Sequence, residues 1–251
     1  MYHCIVSERI KIRHTFLKIL CYAAPLLTSF ISLFLAANYA QVDNFNWWYG
    51  MIMPGMLTIA CTLSAGIDKK LKDQAVLVMP LKMKDIWYAK IVVMAERFAV
   101  SCLLILAVSF VEGILFQDTG YPLVSNSSML AGTALMIITS LWQIPLCMFL
   151  GYKIGIFPTF IINLAAYIVF SATVSLSNWW IAVPYAYTAR MMIPAIGILP
   201  NGLMAEPGSY TYSTELLSKG VYLPGIILSI LLFAVITYLT GRWYENREAQ
   251  N

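Results

Sequence analysis

The sequence predicts an all-α integral membrane protein with six transmembrane helices, and three observations predict it. Of its 251 residues, 60% are hydrophobic and 11% charged, against about 45–50% apolar and about 25% charged in soluble domains. Apolar stretches of about 20 residues recur, the length a helix needs to cross about 30 Å of hydrocarbon. These stretches are apolar on every face, whereas the strands of a membrane barrel alternate with period two. The expected spans are Phe16–Ala37, Trp47–Ile67, Ile91–Phe116, Met129–Gly151, Gly155–Leu176 and Val221–Gly241, within a single transmembrane domain covering 1–251.

Taken in order, the leader "MYHCIVSERIKIRHT" sets Ile5, Ile10 and Ile12 among charges. A short N-terminal helix lying in the membrane interface suits that pattern, and so does a solvated basic leader. Span one is expected to remain in the protein. The charged region before it is long, its apolar core exceeds that of a signal peptide, and "AANYAQ" is a poor cleavage site. "NYAQVDNFN" and "QDTGYPLVSNSS" read as short polar connections on one side, and "GYKIG" as a very short one on the other.

The connection between spans two and three differs from these. In the segment 68–90, Leu71, Ala75, Val78 and Met79 recur at helical spacing, with Lys69, Lys70, Lys72 and Asp73 on other faces. Pro80 ends that helix, because it lacks an N–H and crowds the preceding turn. A second short element, "LKMKDIWYAK", then leads into span three. Attraction of a basic hairpin to anionic lipid is one reading. The apolar stripe favours another, a helix that docks a partner. The segment 177–220 is too apolar for a free loop and too interrupted by Pro and Gly for a span. It suits short re-entrant helices that dip into the outer leaflet, or a loop packed on the bundle.

Lys and Arg placement sets the orientation. Arg9, Lys11, Arg13 and Lys18 precede span one, six lysines lie in 68–90, Lys153 follows span four, and Arg242 and Arg247 follow span six. With six spans all of these fall on one side, and only Arg190 and Lys219 on the other. Both termini are therefore expected in the cytoplasm, and the net charge of +4 reports topology, not nucleic-acid binding.

The chemistry of a catalyst is missing from the pattern. His3 and His14 have no third ligand nearby in sequence, and there is no HExxH, no GxSxG and no Walker A loop. Cys4, Cys21, Cys61, Cys102 and Cys147 have no zinc-like or CxxC spacing and read as small apolar filler. Gly151 and Gly155 form a GxxxG, but across a connection, which makes it a weak packing motif. Ionisable residues within spans are functional candidates by default. Glu96 and Arg97 lie near the inner end of span three, where snorkelling to the surface explains them. Glu112, near its outer end, is open to two readings: solvation, or substrate contact from an outer cavity shared with Ser109 and Ile105.

An interfacial helix, six spans, a charged half-apolar helix after span two and a broken segment before span six together resemble permeases of the ABC-type-2 exporter class. "AVLVMPLKMKDIWYAKI" looks like the coupling element of that class, with Pro80 and Lys90 in the matching places. "ERIKIRHTFLK", "NFNWWYGMIMPG" and "IPAIGILPNGL" are similar to stretches of lantibiotic immunity permeases of the MutE/EpiE type, and several of these features are shared with the MutG type.

The resemblance implies a heteromeric complex of two related permeases with two copies of a cytoplasmic ATPase, which binds the ATP and Mg; this chain itself carries no cofactor and no metal. It implies export of an amphiphilic lantibiotic from the membrane, and assigns ATPase coupling to Lys69, Lys70, Leu71, Lys72, Ala75, Val78, Met79 and Pro80. Trp179, Trp180, Tyr185, Tyr187 and Arg190, with Glu112, are the candidate outer gate and peptide-contact surface. Arg190 would repel a cationic peptide, so a lipid phosphate or the Glu112 carboxylate is its candidate partner. Export of another lipid, drug or amphiphile fits the same bundle. A membrane enzyme would need Glu96, Arg97 and Glu112 to converge, and a sensor subunit would usually bring a soluble domain.

Overall fold

The computed structural model describes residues 1–70 and 82–246. The helices in chain order are α1 (Tyr2–Ile12), α2 (Phe16–Leu35), α3 (Ala40–Trp47), α4 (Met53–Lys70), α5 (Met83–Phe116), α6 (Asn126–Ser140), α7 (Gln143–Ile154), α8 (Ile156–Thr173), α9 (Tyr187–Ile196) and α10 (Tyr222–Asn246). Six helical stretches among the described residues are long and apolar enough to cross a membrane: Phe16–Leu35, Ala37–Lys69, Met83–Phe116, Asn126–Ile154, Ile156–Leu176 and Lys219–Asn246. The six expected spans are present, and their ends differ from expectation for local reasons.

Span two starts ten residues earlier than Trp47, because the supposed polar connection is helical: a 3-10 turn at Ala37–Tyr39 and then α3. Two of its polar residues, Gln41 and Asn44, turn inward. Gln41 donates from Nε2 to the Ser109 carbonyl at 2.8 Å and accepts the Val124 N–H at 2.6 Å, so a polar sequence there does not mean an exposed one. Between α3 and α4 the backbone forms a π-turn over Trp48–Ile52, in which the Met53 N–H reaches the Trp48 carbonyl. Pro54 accounts for the turn. Its ring would crowd the carbonyl one α-turn back, and widening the helix relieves that clash.

Span four is broken at Leu141–Trp142, between α6 and α7. Pro145 cannot donate to the Leu141 carbonyl, which is taken instead by the Ile144 N–H at 3.0 Å. Span three is longer than expected. Its helix begins at Met83, so "LKMKDIWYAK" is for the most part its first turns and not a separate element. No breaker follows Met83, and the buried positions Met83, Ile86, Trp87, Lys90, Ile91 and Met94 form one stripe at helical spacing. Gly155, at φ +88°, makes the whole turn between α7 and α8.

In the segment 177–220, 3-10 turns at Asn178–Ala182 and Pro184–Ala186 lead into α9. Every α9 residue except Pro194 is buried. Thr188, near its start, lies 2.9 Å from the Thr139 hydroxyl and 3.2 Å from that of Ser140, at the end of α6. Ile196, at its finish, lies against Gly132, where a Cβ would meet it at 2.7 Å. The helix therefore runs antiparallel to α6 inside the bundle, and Gly197 ends it in a left-handed conformation at φ +71°.

Candidate functional site

The leader forms a helix whose buried face is Cys4, Glu8 and Ile12, spaced by four. That spacing carries Glu8 into an apolar contact with α5, where Lys90 occupies a position of the core stripe. Asp68, on the last turn of α4, completes the group. Lys90 Nζ lies 2.7 Å from Glu8 Oε2 and 2.7 Å from Asp68 Oδ2, and also faces the Ser64 carbonyl at 3.4 Å. Lys11 Nζ lies 2.6 Å from Glu8 Oε1 and 2.9 Å from Asp68 Oδ1. Each carboxylate thus touches both ammonium groups, and the four charges form a closed, neutral ring.

The side chains of Lys90, Glu8 and Asp68 are 1%, 3% and 4% exposed. Buried charges are costly unless paired and hydrogen-bonded, and the ring supplies both for each member. Lys11 shows the balance: burial works against its charge, but Glu8 and Asp68 outweigh it, and its pKa is raised. The ring ties α1, the end of α4 and the start of α5 together. Asp68, near the end of α4, and Lys90, two turns into α5, also flank residues 71–81 in the sequence, the segment expected to couple to an ATPase.

Of the residues expected in that coupling element, Lys69 and Lys70 close α4, and Leu71, Lys72, Ala75, Val78, Met79 and Pro80 lie outside the described residues. Lys69 does not present a free cation: its ammonium donates to the Tyr152 carbonyl and sits 4.8 Å over that ring. The same end of the bundle carries an aromatic lock. Trp87 stacks on Tyr244 at 4.7 Å and donates from Nε1 to Thr240 at 3.0 Å. Trp243 meets Phe149 edge-on at 4.7 Å, and Lys84 pairs with Glu245 at 3.0 Å. These contacts fix the end of α10 to α5 and α7.

The charged residues of span three do not converge. Glu96 accepts from Arg9 Nε at 3.0 Å in a two-pronged pair at the surface, and Arg97 donates to the Tyr22 hydroxyl at 3.3 Å. Glu112 is buried, not solvated. At 1% exposure it sits among α2, α3 and α5, accepting from Asn44 Nδ2 at 3.3 Å. Asn44 also donates to Ser109 Oγ at 3.0 Å and accepts from Ser29 at 3.0 Å.

Nor do the outer candidates share one face. Trp179 is 76% exposed, while Trp180 is buried against Tyr187, ring centroids 6.1 Å apart. Tyr187 donates to the Ile181 carbonyl at 2.9 Å, and Tyr185 to Asn163 Oδ1 at 2.9 Å. Arg190 is not paired with Glu112. It donates to the Leu216 carbonyl at 2.7 Å and the Glu215 carbonyl at 3.3 Å, closing the loop over α9.

Two groups escaped sequence reasoning. One is the ring, whose signal is a charge at a buried helical position: Glu8 between Cys4 and Ile12, and Lys90 within an apolar stripe. The other surrounds Asn163, which donates to Thr58 Oγ1 at 2.8 Å and to Gln143 Oε1 at 3.3 Å as well as accepting from Tyr185. An amide in "FIINLAAY" and another beside the span-four break are its traces in the sequence.

A protein-family model described as "ABC-2 family transporter protein" matches residues 11–217. No curated protein and no solved structure matches the chain.

Proposed function

The chain belongs to the ABC-2 family of transporter proteins, and from that premise we propose that it is a permease subunit of an ATP-driven exporter that removes lantibiotics or similar antimicrobial peptides from the membrane. The coarser part follows from family membership: a multi-pass membrane permease that works with a cytoplasmic ATPase. The single observation that carries the permease assignment is the family match over residues 11–217, which takes in five of the six spans. The peptide substrate is supported by the three stretches that resemble lantibiotic immunity permeases. The exposed Trp179, an aromatic face for an amphiphile at headgroup level, adds to that support.

In this reading 1–251 is one permease domain with both termini in the cytoplasm, and a second related permease completes the translocation path. Two ATPase copies bind the ATP and Mg, and one docks on the segment 68–90. The argument for docking there is mechanical. Residues 71–81 connect the last turns of α4, which hold Asp68, to the start of α5, two turns before Lys90, and a force on them would pass along both helices through the charge ring into α1 and so into α2. The segment 177–220 is re-entrant in this reading, because α9 enters the bundle at Thr188 and returns beside α6. Arg190, bonded to loop carbonyls, is then a structural residue of the outer gate.

Purification of the complex from its native membrane tests the assignment. The expected result is co-purification of an ATPase whose hydrolysis rises when a lantibiotic is added to the outer face. An ATPase stimulated by a lipid or drug but not by peptide would move the chain to another exporter of the same family. Purification with no ATPase would sink the coupling assignment.

A further inference from the structure

The turn between α1 and α2 carries positive charge, from Arg13 and Lys18, that no acid among the described residues answers. Arg13, His14 and Lys18 are exposed there, and among the described residues none of the three has an ion-pair partner. The neighbouring acids are committed elsewhere: Glu8 to the ring and Glu96 to Arg9. Lys18 and the N-terminal end of the α2 dipole add to one another, since the first turn of α2 has no acid and the Thr15 hydroxyl donates to the Ile12 carbonyl instead of capping it. Arg97 approaches from α5 through its bond to Tyr22, and its Nε is buried without a partner.

Below these cations an open groove of about 720 Å³ runs along α2, with walls from Phe16, Ile19, Tyr22, Ala23 and Leu26. We propose that this groove binds an anionic glycerophospholipid, with its phosphate held by Arg13, His14 and Lys18 and one acyl chain lying on Ile19, Ala23 and Leu26. The two halves of the site need each other. A zwitterionic lipid fills the trough but brings a headgroup ammonium along with its phosphate, so the net positive charge of the site stays uncompensated, and a free phosphate answers that charge but leaves the apolar trough bare. Three basic residues described elsewhere on this end of the bundle are engaged otherwise: Lys69 and Lys153 lie over aromatic rings and Lys84 is paired with Glu245. The inference requires only that the chain spans a membrane, so it stands apart from the identity of the exported substrate.

Native mass spectrometry of the detergent-purified full chain tests it, with phosphatidylglycerol, phosphatidylcholine of the same chains, and inorganic phosphate as probes. Phosphatidylglycerol should be retained and phosphatidylcholine should not. Replacing both cations in an Arg13→Gln, Lys18→Gln variant should weaken phosphatidylglycerol about thirtyfold, at about 1 kcal/mol for each headgroup-level cation. A Lys219→Gln, Arg242→Gln variant, with the same loss of net charge, should bind as the parent does. Ala23→Trp should fill the trough and weaken phosphatidylglycerol while leaving inorganic phosphate unaffected. Equal retention of the two lipids overturns the proposal, as does full binding by the Arg13→Gln, Lys18→Gln variant. Displacement of the lipid by inorganic phosphate together with no effect of Ala23→Trp makes the site a phosphate site and overturns it too.

Discussion

Lys90 shows how much a single buried charge depends on its neighbours. With the ring intact, its ammonium has two carboxylates at 2.7 Å. Lys90→Met leaves two buried carboxylates sharing Lys11, and breaking a buried pair costs about 3–5 kcal/mol. Thermal unfolding of the purified protein should show a loss of that order. Replacing Glu8, Lys11, Asp68 and Lys90 together by apolar residues of similar volume should cost far less, because no charge is stranded. If the ring transmits force, that quadruple variant should keep ATP hydrolysis and lose its response to peptide. Trp179 and Trp180 separate in the same way. Trp179→Ala removes an exposed ring and should lower peptide protection with little change in stability. Trp180→Ala opens a gap beside Tyr187 and should destabilise the protein by about 3–5 kcal/mol, as core aromatic truncations do. Equal effects of the two on stability would contradict this division.

Among the elements, close approaches are made at Gly151 and Gly225, and their neighbours determine the outcome of substitution. A Cβ on Gly151 of α7 would press on the Thr62 side chain and come 2.8 Å from its Cα, a backbone atom of α4. The two helices would have to part, and Gly151→Ala should lose about 1–3 kcal/mol. At Gly225 of α10 a Cβ meets instead the flexible end of Met191, so Gly225→Ala should lose less than about 1 kcal/mol. Paired thermal melts check the order, and a larger loss at Gly225 would contradict it. The proline breaks belong to this scale as well. Pro54 and Pro145 were visible in the sequence, but periodicity treats a span as continuous. The backbone responded with a π-turn in one case and a two-residue break in the other.

For the molecule as a whole, the asymmetry of Lys and Arg predicts the orientation, and impermeant thiol labelling in cells checks it. The five native cysteines are buried and can be replaced for a clean background. Tyr210→Cys, at a position 79% exposed, should label from outside, and Lys153→Cys should be protected until the membrane is opened. The reverse pattern would invert the topology. Orientation is legible in this way because it depends on summed charge in the connections and not on contacts.

The sequence by itself determined the class and the number of spans, since hydrocarbon thickness sets the length of apolar helix needed and leaves little freedom. It also marked the segment 68–90 and the broken segment 177–220, whose compositions fit neither a span nor a loop. Only the tertiary structure decided where the polar groups go. Gln41 and Asn44 look like loop residues, and Glu112 and Arg190 look like partners, until packing gives each a different neighbour. Glu8, Lys11, Asp68 and Lys90 come from three separate stretches of chain, and no local pattern pairs them. Their burial becomes tolerable only when α1, α4 and α5 meet, because a charge in a medium of low polarity is settled by what lies within a few ångströms of it, and that is a property of the fold.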